Sequence, residues 1–300
     1  RAICKIFMPG SNDRSFRWLE SCALGKKEMF ILMFRLTQSV LVCICLIAIG
    51  LMLTSQSLAG VTDLKAAATG IWLFDEGKGT AVKDAAGKGL DGVIKGNAKW
   101  VNGKFGKALE LDGKTAYVEI PKHKNPTEAI TVLAWVKSLT KTWNAHGFIM
   151  SKRNAYIIHN NVDTTKVSFP ICNGACWNKP GGWRDGEVGP DDITVWHMYA
   201  GTFNSKTGEW KIFIDGKEAS KLDLDKKPLA AEAEKPLFIG RDTCCDDRYG
   251  KIVIDEAAVF NIALTAGQQQ GIMSTGLGAA ITAVEAIEKL ATTWSSLKTQ

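Results

Sequence analysis

Between Arg241 and Arg248 the chain reads RDTCCDDR, which places three carboxylates, Asp242, Asp246 and Asp247, within six residues. Carboxylates that close repel one another unless a cation or basic side chains offset them. Calcium, a hard ion that takes carboxylate oxygens, is the natural metal, although the spacing is not that of an EF-hand. Arg241, Arg248 and Lys251 offer the alternative of a loop neutralised by salt bridges without metal. Cys244 and Cys245 lie in the same loop, and a second loop, CNGACWNKPGGWRDGE, carries Cys172, Cys176, Trp177 and Trp183. An indole outside a strand offers a flat apolar face and one N–H donor, a combination suited to a sugar ring. Trp143, in KTWNAHG, keeps similar company, whereas Trp72, Trp135, Trp196 and Trp210 sit within strand-like segments and read as core. Loop aromatics also cap the open ends of folds, so the rim tryptophans carry both readings.

Other chemistry is less well supported. Gly113-Lys114-Thr115 resembles the end of a phosphate-binding loop, but the slot five positions before Gly113 holds Ala108, and YVEIP follows where a helix is required. Asp112-Gly113 therefore reads as a hairpin turn. Asp223 and Asp225 alternate in KLDLDKK without a flanking glutamate, the pattern of a solvated edge strand. No Gly-x-Ser-x-Gly elbow or His-Glu-x-x-His occurs. His123, His146 and His159 are isolated and read as solvated or packed.

The elements that must position these residues begin after an export signal. Val40 to Leu53 carries no charge, follows Arg35 and precedes Ser57-Leu58-Ala59, a signal-peptidase pattern. The run is shorter than the roughly 20 residues of a membrane span, so cleavage after Ala59 is expected, with a retained membrane anchor as the alternative. Translation from Met29 or Met33 gives a signal peptide of ordinary proportions over residues 29–59, which leaves residues 1–28 as a non-native extension. Residues 1–59 hold seven of the 37 Lys+Arg and three of the 31 Asp+Glu, so the remainder has 30 basic against 28 acidic residues. With no basic block interleaved with aromatics, nucleic acid is not an expected partner. Four cysteines remain, an even number in an oxidising compartment, where two disulfides are expected. Three connectivities are possible. Adjacent Cys244 and Cys245 would be strained if joined, which favours pairing each with Cys172 or Cys176. A four-thiolate zinc site would need a second spaced pair beside CNGAC.

From Thr69 to about Val259 the chain is a series of short alternating segments separated by Gly and Asp-Gly, the pattern of an all-β antiparallel two-sheet sandwich or jelly roll. In EWKIFIDG, Trp210, Ile212 and Ile214 share one face, and Asp215-Gly216 supplies the positive φ angles of a two-residue hairpin. Thr265 and Gln268 form a capping box for a helix to about Met273. After a Gly/Ala spacer, Ile281, Val284, Ile287, Leu290, Trp294 and Leu297 predict an amphipathic helix, so residues 277–300 read as a tail to a domain over 60–276. That stripe either packs on its own domain or serves as a docking element.

GIWLFDEGKGTAVKDAAGKGLDGVIKGNAKWVNGKFGKALELDGKTAYVEIP resembles the opening of the LamG-like jelly-roll domains of exported bacterial proteins, in the concanavalin A-like lectin/glucanase superfamily. ITVLAWVKS, WHMYAGTFNSKTGEWKIFIDGKEA and PLFIGRD, followed by GKIVIDEAAVFNIALTAGQ, are similar to the same family in the same order. The resemblance covers about Gly70 to Gly271. It implies a structural strand position for His197, and calcium ligands in the loop of Asp242, Asp246 and Asp247, as in pentraxin-like relatives. The family includes adhesion, matrix-binding and sugar-binding modules as well as domains appended to enzymes, and the expected function among these is a module that binds a carbohydrate or a glycosylated matrix or cell-surface partner without transforming it. The expected ligand surface is the disulfide-tied rim: Trp143, Trp177, Trp183 and Arg241. An assembly subunit acting through the C-terminal helix, and a glycan-active hydrolase with an unfamiliar carboxylate set, remain as alternatives.

Overall fold

The computed structural model describes residues 63–177, 182–245 and 248–282. The expected signal segment, most of the amphipathic tail, and Asp246 and Asp247 lie outside the described residues. Fifteen strands form two sheets among the described residues. The first has the order β13 (Lys217–Asp223), β12 (Glu209–Ile214), β11 (His197–Asn204), β7 (Ala129–Ser138), β15 (Ile252–Phe260), β5 (Lys107–Glu110) and β4 (Lys99–Asn102), with β1 (Ala68–Trp72) also paired to β15. The second has the order β10 (Val167–Ser168), β9 (Tyr156–Asn160), β8 (Met150–Lys152), β14 (Leu237–Ile239), β6 (Tyr117–Ile120), β3 (Gly92–Lys95) and β2 (Ala81–Val82). Every paired strand runs antiparallel, as the alternating segments and short turns predict. Asp223 ends β13, at the edge of its sheet and exposed.

Because successive side chains of a strand point to opposite faces, each long strand serves two layers. On β7, Val132, Ala134 and Val136 enter the core between the sheets, with Trp72, Tyr156, Phe203 and Trp210. Leu133 and Trp135 of the same strand point the other way, into a second apolar cluster on the outer face of the eight-stranded sheet. That cluster is covered by α1 (Leu64–Ala67), by α2 (Ala266–Thr275) and by helical residues 277–282. Covering both faces explains why β7 and β15 are apolar almost throughout.

The capping box of Thr265 and Gln268 is present, and α2 runs to Thr275, a little beyond the predicted end. The expected spacer after it is partly helical. Helix resumes at Leu277, where the Glu256 carboxylate accepts the N–H groups of Leu277 at 2.9 Å and Gly278 at 3.3 Å. Leu277 and Ile281 pack into the chain's own outer cluster. Asp215-Gly216 forms the expected hairpin between β12 and β13, both residues at positive φ. Asp112-Gly113 is a turn too, but β5 and β6, which it joins, belong to different sheets. The Asp112 carboxylate fixes this crossing by accepting the N–H groups of Lys114, Thr115 and Ala116. Burial alone would raise its pKa, yet these bonds and the Thr115 hydroxyl bring it down to about 2.

Candidate functional site

A cavity of about 320 Å³ lies beside the seven-stranded sheet, lined by His146, Arg153, His159, Asn161, Trp183, Arg184, Cys244 and Arg248. Alternation places it on the face turned away from the core. Tyr156, Ile158 and Met150 point inward, so His159 of β9 and Ser151 of β8 point outward. Three loops surround it. The loop after β7 brings His146, the long loop after β10 brings Trp183 and Arg184, and the loop after β14 brings Cys244 and Arg248.

Buried asparagines and glycine hold these loops. Asn160, fully buried, donates from Nδ2 to the Ala145 carbonyl and accepts the Phe148 N–H at 2.9 Å. Gly147, at φ +68°, passes so close that a Cβ there would meet His159 Cδ2 at 3.0 Å and Asp242 Oδ2 at 3.2 Å. The Ser168 hydroxyl donates to the Trp183 carbonyl at 2.5 Å. Asn161 donates from Nδ2 to Glu187 at 2.9 Å.

Asp242 is the electrostatic centre. Its carboxylate is fully buried and accepts from Ser151 Oγ at 3.0 Å, Arg153 Nη2 at 3.2 Å and Arg248 Nη1 at 2.9 Å. Arg153 also lies over both rim indoles, 5.2 Å from the Trp183 ring and 5.9 Å from the Trp177 ring, within cation–π range. The two indoles are half-buried, with ring centroids 4.7 Å apart, and the ring of Trp183 lies 4.9 Å from that of His159. His159 and His146 stack at 5.5 Å. Burial, then the neighbouring ring and the charges of Arg248 and Arg153, lowers His159 to a pKa of about 3. Burial, then Arg248 and Arg184, lowers His146 as well. Both imidazoles are therefore hydrogen-bonding groups here, not charges.

Trp177 and Trp183 stand together as the sequence predicts, but other expected site residues are placed differently. Trp143 is fully buried in the core, edge-on to Phe148 and Tyr199, because its loop folds inward over the open end of the sandwich. Arg241 is outside the cavity, its guanidinium 4.9 Å from the rings of both Tyr117 and Tyr249. Neighbouring residues of an extended segment point in opposite directions, so turning Asp242 inward carries Arg241 away. The cross-links also differ from expectation. Cys172 is bonded to Cys176, and Cys244 and Cys245 are free and exposed. The first pair face each other across an antiparallel bridge with Cα atoms 4.0 Å apart, close enough to join within their own turn. The two loops therefore meet through side chains, not through a covalent tie.

Of the three carboxylates expected around calcium, Asp242 is the one described. A carboxylate already bracketed by two guanidiniums suits a dication poorly, since the ion would face both positive charges. His197 lies away from the cavity, its ring held between Asp215 Oδ2 at 2.7 Å and the Asp192 carbonyl at 2.9 Å, in keeping with a structural strand position. Arg153 and Asn161 were not singled out by the sequence, and His146 and His159, which it reads as isolated, stack on each other at the cavity. Arg153 had a partial signal, since Arg-Asn-Ala between two strands marks a tight turn, and Asn154 there has φ 68°. Nothing local indicates that the arginine reaches Asp242, 89 positions away.

Several solved structures share the fold at low identity. Domain 4 of AbnA, a GH43 extracellular arabinanase from Geobacillus stearothermophilus, solved in complex with arabinotriose, matches with TM-score 0.54 and 22% identity over 69% of this chain and 98% of that one. A botulinum neurotoxin type C structure, whose cell entry depends on interaction with two ganglioside molecules, matches with TM-score 0.55 and 14% identity over 72% and 53%. The binding domain of Paraclostridial Mosquitocidal Protein 1 matches with TM-score 0.55 and 13% identity over 70% and 52%. The chain thus spans about half the length of these toxin structures. No curated protein sequence matches it. The sequence profile of Laminin_G_3, described as concanavalin A-like lectin/glucanases superfamily, matches residues 112–268, the strands from β6 to β15 and the start of α2. With more than half its length matched in this way, the chain belongs to the Laminin_G_3 family.

Proposed function

We propose that this chain is an exported, non-catalytic carbohydrate-binding module whose ligand rests on Trp177 and Trp183 and reaches into the adjoining cavity. The observation that carries the reading is the pair of half-buried indoles held 4.7 Å apart at a polar cavity and fixed by Arg153. Apolar faces flanked by fixed hydrogen-bonding groups match a sugar, which has an apolar ring face and a hydroxyl rim. Such pre-positioning also limits the entropy lost on binding. Arabinotriose and gangliosides, the partners of two fold neighbours, are of the same chemical class. The partner on this reading is a polysaccharide or a glycosylated matrix or cell-surface molecule. The Cys172–Cys176 disulfide suits an extracytoplasmic setting.

The test is a glycan array probed with the protein and with a Trp177→Ala/Trp183→Ala double variant, each with calcium and with a chelator. The expected outcome is binding to a restricted set of glycans, weakened tenfold or more in the variant. Loss of binding on chelation would add calcium to the reading. Failure to bind any glycan, or binding indifferent to the double substitution, would refute it, and release of reducing ends from a bound polysaccharide would replace it with an enzyme.

A further inference from the structure

Resting on the carbohydrate-binding reading, we propose that the sugar this cavity takes is acidic, with its carboxylate or sulfate held by Arg184 and Arg248 and its ring against Trp183. Among the described residues the lining carries three guanidiniums, Arg153, Arg184 and Arg248, and no carboxylate, and the buried Asp242 is the counter-charge of two of them, Arg153 and Arg248. Asp242 engages one terminal nitrogen of Arg153 and one of Arg248. A guanidinium has five N–H donors, so each keeps donors for a ligand. Arg184 is exposed and makes no ion pair among the described residues. A planar fork of donors matches the oxygens of a carboxylate or sulfate better than it matches scattered hydroxyls.

The remaining lining groups suit the rest of an acidic sugar. His146 Nδ1 accepts the Val162 N–H at 3.3 Å, so its proton sits on Nε2, leaving a neutral donor. His159 and Asn161 are 4% and 1% exposed, and His159 Nδ1 and Asn161 Oδ1 are buried without a hydrogen-bond partner. Buried polar atoms are normally satisfied, so two beside one cavity mark a local shortage of hydrogen-bond partners. A neutral sugar would offer no counter-charge to Arg184 and no acceptor of matching charge to the spare donors of Arg153 and Arg248. A bare inorganic anion would leave the indole faces and these two atoms unused.

The experiment is calorimetric titration with matched probes that differ only in charge. Sialyllactose is set beside lactose, trigalacturonate beside its methyl ester, and 6-sulfo-N-acetyllactosamine beside N-acetyllactosamine, with sodium sulfate alone as a further probe. At least one acidic probe is expected to bind tenfold or more tighter than its neutral counterpart, and to weaken as salt is raised from about 50 to 300 mM. The carboxylated and sulfated arms tell the two sources of charge apart. Arg184→Gln is expected to lower the affinity for that probe about 5- to 10-fold, with Arg184→Lys falling between. The residue is exposed, so a matching thermal melt establishes that the variant folds. A neutral probe binding as tightly as its acidic partner, an acid preference unchanged by Arg184→Gln, or sulfate alone binding as tightly as the sulfated sugar would overturn this inference while leaving the carbohydrate reading in place. Binding to none of these sugars, together with an array that shows no glycan at all, would overturn both.

Discussion

On the outer face of the eight-stranded sheet, Leu133, Trp135 and Phe213 are sealed beneath α1, α2 and residues 277–282. On the outer face of the seven-stranded sheet, Ser151, His159 and Asp242 lie beneath loops that leave a cavity. The strands on the two sides are built alike, with alternate residues supplying the shared core. What differs is the chemistry of the other half of each strand. Apolar side chains recruit helices and make a second small core, whereas polar ones recruit loops and an ion-pair hub. In a sandwich of this kind, stability and recognition can therefore reside on opposite outer faces, served by the same central layer.

The largest expected break in this contrast comes from Asp242→Ala. Removing the carboxylate leaves Arg153 and Arg248 partly buried without their counter-charge, at a cost of roughly 3–5 kcal/mol by urea unfolding. Glycan binding is expected to fall with it, because Arg153 is no longer fixed over the indoles. Leu277→Ala tests the sealed side, where truncating a fully buried leucine should cost about 2–4 kcal/mol while the folded protein keeps its affinity for glycans. A variant that loses binding before it unfolds would mean that the two faces are coupled.

A smaller effect sharpens the comparison on the sealed side itself. Asp255 is fully buried beneath this cover, and burial, opposed by the N–H groups of Phe105 and Lys104 and reinforced by the Glu256 charge, raises its pKa to about 7. A carboxyl whose folded pKa is raised contributes stability below the ordinary carboxylate range, and loses it as pH climbs through about 7. The wild type should therefore lose on the order of 1–3 kcal/mol more than Asp255→Asn between pH 5 and pH 8. Denaturant titrations at the two pH values measure this difference, and equal losses would place the raised pKa elsewhere.

Much of the sandwich is visible in the sequence because its rules are local. Alternation marks strands, Asp215-Gly216 marks a hairpin, and Thr265 with Gln268 marks a helix start. Asp112-Gly113 shows where local rules stop, since the residues specify a turn but not that the chain changes sheet there. The site follows the same division. Trp177 and Trp183 could be found by the company they keep, and the same criterion misplaced Trp143, whose burial depends on how a whole loop folds over the core. Arg153 and Asp242 meet only after β8 and β14 have paired, so no spacing signals the contact. The cysteine pairing went astray for a related reason. Strain disfavours joining the neighbours at 244 and 245, but a short turn brings 172 and 176 face to face with no partner loop needed.

Arg153 serves the aromatic shelf and the charged floor with a single side chain. A descendant of this protein could not retune one of them at that position without disturbing the other. On the proposed carbohydrate-binding reading, changes of ligand preference would instead accumulate at Arg184, which is exposed on the cavity lining and pairs with neither.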